Sequence, residues 1–316
     1  MNQSIISANH FHNEEAAYEF IESQIWPDGP ACPHCGSNER ISKMNGKSTR
    51  MGVYKCYACR KPFTVKVGTV FEDSHIALRL WLQAIYLMCA SKKGISSNQL
   101  HRTLGVTLKT AWFMTHRIRY AMEQRPDSPF YGPVELDETY IGGKIRTGSQ
   151  AVNKTGERPK DRLSGTSNKA AVVSILQRGG SVRSYYVQRV TAKNLKPIIE
   201  EMVADDAHLM TDTSTALASA GAMRKHSKVN HLVKEYVRRE NGELITTNSV
   251  EGYFSILKRG INGVYHHCGK QHLHRYLAEF DFRYNNRIGK GIDDIARADK
   301  ALRGIVGKRL TYTTPA

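Results

Sequence analysis

Four cysteines and three acids are the residues whose types and spacing point to chemistry. Cys32 and Cys35 form one Cys-x-x-Cys and Cys56 and Cys59 a second, with 20 residues between the pairs. Four thiolates at that spacing close a tetrahedral zinc site on two knuckles, the ion standing in for a hydrophobic core. Arg40, Lys43, Lys47, Arg50, Lys55, Arg60 and Lys61 crowd the two pairs. One redox Cys-x-x-Cys beside an accidental pair is the competing reading, and the spacing favours zinc. His34 falls between two ligands of a set that is already complete, and Cys89 and Cys268 lack spaced partners.

The acids are Asp137, Asp212 and Glu251. Asp137 interrupts an apolar strand pattern in VELDETYIGGK, and Asp212 ends another in LMTDTSTA. Glu251 opens a helical pattern in TTNSVEGYFSILKRG, where Phe254, Ile256 and Leu257 face inward. Acids converging from two strands and a helix can hold two divalent cations. Such a pair activates a water or a terminal hydroxyl on one side and stabilises the leaving oxygen on the other. Hard carboxylate oxygens suit Mg2+ or Mn2+ rather than zinc. One acid alone would read as a local cap or ion pair; the strand, strand, helix order is what points to metal. Glu135 and Glu138 flank Asp137 and are expected on the opposite strand face. Asp205 and Asp206 read as a solvated loop. His266, His267, His272 and His274, spread over a turn and a helix beside Tyr and Arg, read as DNA contacts or packing rather than a second metal site.

The elements that must position these groups follow from periodicity. A helix is expected over 13–25 with Asn13 as N-cap, stopped by WPDGP. Short strands around a turn are expected in the cysteine module, to about residue 67. Residues 75–123 read as three helices, about 75–91, from Ser96 or Ser97 to Leu104, and from Thr107 to about 123. Gly105 makes the turn between the last two, as in a helix-turn-helix. That pattern leaves Thr107, Lys109 and Thr110, with His116 and Arg117, to meet a groove or phosphates. A plain helical hairpin is the bland alternative. From about 133 three strands, a helix at 193–203 and a strand at 209–213 suggest a sheet with helices on its faces, followed by a mainly helical C-terminal third.

Bulk composition narrows the class. Lys and Arg number 46 against 29 Asp and Glu, a formal charge of +17, which favours a polyanionic partner. The apolar stretch at 76–90 is too short to span a bilayer and carries Arg79 and Gln83. Residues 1–31 contain no Lys or Arg, so no basic region leads a signal segment. A cytoplasmic, nucleoid-associated protein is expected, with no membrane partner. Residues 140–170 hold seven Lys and Arg against two acids and read as a loop that orders on DNA.

The chain resembles the bacterial insertion-sequence transposases related to the Merlin superfamily. The motifs that carry the resemblance are WPDG with CPHC, GTVFEDS, ELDETYIGGK, TDTSTA, VNH with EYVR, TTNSVEGYFSILKRGINGVYHH and HLHRYLAEFDFRYNNR. The resemblance implies a multidomain α+β chain: an N-terminal zinc ribbon (1–67), a helix-turn-helix DNA-binding domain (68–128) and a ribonuclease-H-like α/β catalytic domain (129–316). It implies a DDE-type transposase that binds terminal inverted repeats and catalyses metal-dependent strand cleavage and transfer. Asp137 and Asp212 become the first two metal ligands. For the third, Glu251 is favoured because a carboxylate binds Mg2+ more strongly than an amide, with Asn248 beside it or supporting it. Lys258 and Arg259 would contact the terminal phosphates. Double-stranded DNA is the expected partner and at least a dimer the expected assembly on it. A non-catalytic zinc-ribbon regulator and a nuclease that cuts without joining are the competing classes.

Overall fold

Helix starts are written locally. Asn13, Ser96, Thr107 and Asp293 each stand one residue before a helix, and each side chain accepts from the backbone N–H three residues on, at 2.8–3.1 Å. Such a cap stabilises its helix by about 1 kcal/mol. The helices so opened are α1 (Glu14–Ile25), α3 (Ser97–Leu104), α4 (Leu108–Met122) and α9 (Asp294–Arg303). Gly105 ends α3 at φ +66°, the left-handed conformation that glycine adopts without strain.

The structure is a computed structural model and describes residues 4–124, 128–142 and 169–311. These fall into two compact units, Met1–Gln124 with Asn286–Ala316, and Arg125–Asn285. The basic segment expected at 140–170 lies almost wholly outside the described residues.

In the first unit, strands β1 (Ile41–Lys43), β2 (Tyr54–Cys56) and β3 (Pro62–Phe63) form an antiparallel sheet. Its core is small: Cys32, Cys56 and Phe63 are buried, with Trp26, Ile41 and Tyr54 packed against them. Helix α2 (Leu78–Ala90) buries Leu78, Trp81, Leu82, Ile85 and Met88. It packs with α9, and Arg297 of α9 fixes the contact by donating to the carbonyls of Cys89 (2.8 Å) and Asn286 (2.6 Å). Residues after 285 cluster with the N-terminal helices, α9 burying Arg297, Ala301 and Leu302.

The second unit is built on a five-stranded sheet. Its strands are β4 (Pro133–Ile141), β5 (Ala170–Gln177), β6 (Val182–Val187), β7 (His208–Asp212) and β8 (Lys225–Val229), in the order β6-β5-β4-β7-β8. β4, β5 and β6 are antiparallel neighbours, while β7 and β8 run parallel to β4. This is a mixed α/β core, as expected from the sequence. α5 (Ala192–Met202) and α6 (Thr215–Gly221) cover one face, packing on Val134, Leu136, Val173 and Leu209. α7 (Asn248–Gly260) and α8 (Leu273–Asn285) cover the other, packing on Val172, Leu176 and Val182. Buried Asp281 ties this second face together by accepting from Ser184 N (2.8 Å), Ser184 Oγ (2.7 Å) and Tyr253 Oη (2.6 Å). Burial pushes its carboxyl up to about 6, against those hydrogen bonds. A hairpin of β9 (Val237–Glu240) and β10 (Glu243–Thr246) leads into α7.

Candidate active site

Strand register brings the two aspartates together. β4 and β7 pair in parallel as Pro133 with His208, Val134 with Leu209 and Glu135 with Met210. Carried two residues further, that register sets Asp137 opposite Asp212, just past the end of the ladder. Both stand on the α7 face, since Leu136 and Leu209 between their neighbours point to the α5–α6 core. The Glu138 N–H donates to Asp137 Oδ1 and the Ser214 N–H to Asp212 Oδ1, each at 2.8 Å.

Glu251 enters from the first turn of α7. Its Oε1 accepts from the Thr247 hydroxyl (2.9 Å) and lies 3.3 Å from His231 Nε2, which is also 3.3 Å from Thr247 Oγ1. Asn248, the first residue of α7, is exposed. Burial pushes the Asp137 carboxyl up to about 6; the Glu138 amide opposes the shift, and the charges of Asp212 and Glu251 add to it. Glu138 is raised to about 7 by burial and by the charges of Asp212 and Asp137. The acids thus form a mutually repelling cluster whose charge a divalent cation would relieve. Among the described residues they do not close to within 4.8 Å of one another, whereas the cysteine sulfurs do. Hard carboxylate oxygens of this kind suit Mg2+ or Mn2+ rather than zinc.

The cysteines make that closed cage. Cys32 Sγ to Cys59 Sγ and Cys35 Sγ to Cys56 Sγ are both 3.7 Å. A tetrahedral ion with Zn–S bonds of about 2.3 Å requires edges of about 3.8 Å, so the four sulfurs fit zinc. Backbone hydrogen bonds from Cys59 and Ala58 pull the Cys56 thiol down to about 7, whereas, against the Ser37 amide, burial and the neighbouring sulfurs push the Cys35 thiol up to about 12.

The two remaining predicted sets are placed differently. Thr107 and Lys109 are exposed and Thr110 is half-buried, its hydroxyl 2.8 Å from that of Thr107. Lys258 and Arg259 are exposed on α7. Arg117 is not offered to solvent. It is 6% exposed, donates to the carbonyls of Val70 (2.7 Å) and Glu72 (2.9 Å), and stacks 4.5 Å from the Phe113 ring. His116 is fully buried beside it. The helical wheel misleads here because α4 buries every residue from Met114 to Arg119.

A second correction concerns Glu135. Residues two apart on a strand point the same way, so Glu135 shares the Asp137 face and only Glu138 lies on the other. Glu135 is fully buried and bonds to α7, a role the sequence reading did not assign. The reading also missed β8, the β9–β10 hairpin and the contact of His231 with Glu251. One signal for the hairpin was present, the Asn241-Gly242 pair between VRRE and ELIT, with both residues at positive φ.

Residues 129–285 match the ISXO2-like transposase domain, and residues 12–62 match a transposase zinc-ribbon domain. The chain belongs to the insertion-sequence transposases with a zinc-ribbon N-terminus. It is 26% identical over 280 residues, 86% of this chain and 91% of its relative, to an uncharacterized protein in transposable element ISH50 of Halobacterium salinarum. The matched domain ends at residue 285, where the second compact unit also ends. Among the described residues of this transposase, no helix is long and apolar enough to cross a membrane.

Proposed function

We propose that this transposase binds the terminal inverted repeats of an insertion sequence, cleaves a strand at each end and joins the freed end to target DNA. The observation that carries the reading is the placement of Asp137 and Asp212 side by side on adjacent parallel strands, with the charges of Asp212 and Glu251 both acting on Asp137. Asp137, Asp212 and Glu251 would hold two Mg2+ or Mn2+ ions, with Asn248 beside them at the start of α7. Bound there, the ions supply activation of the attacking oxygen and stabilisation of the leaving one. The chain's own part is positional. The Glu138 and Ser214 amides orient the two aspartates, and Thr247 and His231 hold Glu251 Oε1.

Lys258 and Arg259, exposed on α7, are placed to receive backbone phosphates near the acids. In the first unit the turn at Gly105 and the exposed Thr107 and Lys109, with Thr110, support a helix-turn-helix that reads the ends, beside a ribbon rich in Lys and Arg. Zinc in the four-cysteine site would be structural. Two ends must be held to be joined, so at least a dimer assembles on DNA.

Labelled element ends incubated with Mg2+ and a target duplex test the reading. Nicked ends and joined products are expected from the wild type and neither from Asp137→Ala. Binding without cleavage would favour a regulator, and cleavage without joining a nuclease.

A further inference from the structure

We infer that Glu135 and Arg178 are positioning residues that set where the third ligand of the acid cluster stands; the inference rests on the metal-site reading above. Helix α7 carries both candidates for that ligand, and its own N-cap residue, Thr247, makes no side-chain cap hydrogen bond. The orphan amides of its first turn are taken instead by a carboxylate from β4. Glu135 Oε2 accepts from Ser249 N (2.8 Å) and Val250 N (3.0 Å), and Oε1 accepts from the Ser249 hydroxyl (3.0 Å). Those two amides are the ones between Asn248 and Glu251. A buried anion at a helix N-terminus is favoured by the helix dipole as well as by the bonds.

Arg178, at the turn between β5 and β6, completes the device. Its Nε donates to Glu135 Oε1 at 3.0 Å. The same guanidinium donates to the Leu244 carbonyl (2.8 Å) and the Thr246 carbonyl (3.3 Å), fixing the strand that feeds α7. It also meets Met210 Sδ at 3.1 Å. Glu135 is two residues before Asp137, and Met210 is two residues before Asp212. This pair, with Glu135 fully buried and Arg178 partly exposed, therefore touches the carriers of all three acids. A pair placed only for stability would not need to bind β4, β7 and the first turn of α7 together.

The test is Mn2+ binding by the zinc-loaded protein, followed by the electron paramagnetic resonance signal of the free aqua ion. Loss of an outer support of this kind typically weakens metal binding by about 10–100-fold. Glu135→Gln, which keeps the shape and removes the charge, is expected to weaken Mn2+ binding about tenfold. Arg178→Lys, which loses the planar fork to Leu244 and Thr246, is expected to do the same. The paired variant Glu135→Met with Arg178→Met removes the unpaired charge that either single change to Met would leave, but strands the Ser249 and Val250 amides. It is expected to melt below the wild type in one cooperative transition and still bind Mn2+ weakly. Wild-type Mn2+ affinity in the paired variant or in Glu135→Gln overturns the inference and leaves the metal site standing. Wild-type affinity in Asp137→Ala instead overturns the metal-site reading itself, and this inference with it.

Discussion

In the ribbon, sulfurs from two short knuckles approach to 3.7 Å and close around a point, whereas the acids come from two strands and a helix and stay open. The first site is complete in itself, with four soft ligands and no free position. The second offers hard carboxylate oxygens, a raised carboxyl at Asp137 and an exposed Asn248 at the start of α7. A closed site contributes folding energy, and an open one leaves room for a substrate oxygen. The difference teaches where each kind of damage should register, and the following experiments press on it.

The largest effect is expected at the closed site. Cys56→Ser should abolish stoichiometric zinc, measured by elemental analysis, and leave the ribbon protease-sensitive, because its core has few apolar residues beyond the cysteines. A folded, DNA-binding ribbon without zinc would break the contrast. At the open site the effect should be chemical. Asp137→Ala is expected to lower strand cleavage by about 1,000-fold or more, equivalent to roughly 4 kcal/mol of barrier, with no fall in melting temperature. A stability loss matching the activity loss would make Asp137 structural.

Next comes the choice within the open site. Glu251→Ala should cost about 100-fold in cleavage and Asn248→Ala about tenfold, since the carboxylate binds the cation more strongly than the amide. The reverse order would make Asn248 the ligand. A smaller effect separates two residues once grouped together on α4. Arg117→Ala should destabilise by about 2–3 kcal/mol in thermal or urea unfolding, because it strands the Val70 and Glu72 carbonyls. Lys109→Ala should leave stability alone and reduce the salt slope of DNA binding by about 1.

The smallest effect is a pH dependence. Burial first, then Lys228 and His208, lowers the His226 pKa to about 4, and its Nε2 lies 2.9 Å from Thr211 Oγ1. Between pH 6.5 and 4 the unfolded chain binds a proton there and the folded chain does not, so stability falls as pH drops through that window. With the ring only about half buried, solvent screening reduces the effect to about 1–2 kcal/mol. His226→Gln should flatten that part of the stability profile; an unchanged slope would assign it elsewhere.

Much of this was legible because it is local. The helix starts at Asn13, Ser96 and Thr107, the turn at Gly105, and the apolar runs of β4, β5 and β7 all lie within a few residues of their cause. β8 was not legible, because KHSKV is polar and largely unburied up to Val229, leaving no apolar alternation. Arg117 was misplaced because a charged side chain with a long stem can be satisfied by carbonyls far away in the chain, and periodicity carries no record of them.

By itself the sequence determined the zinc cluster, the helix caps and the identity of the two strand acids, since each depends on neighbours a few positions away. Tertiary structure decided which strands lie side by side, and so that Asp137 faces Asp212. It also decided that the residues after 285 join the N-terminal helices and that Glu135, not Thr247, caps α7. Those outcomes are contacts between segments far apart in the chain. Their partners are selected by burial and by the need to satisfy every buried polar group, and neither is written in local spacing.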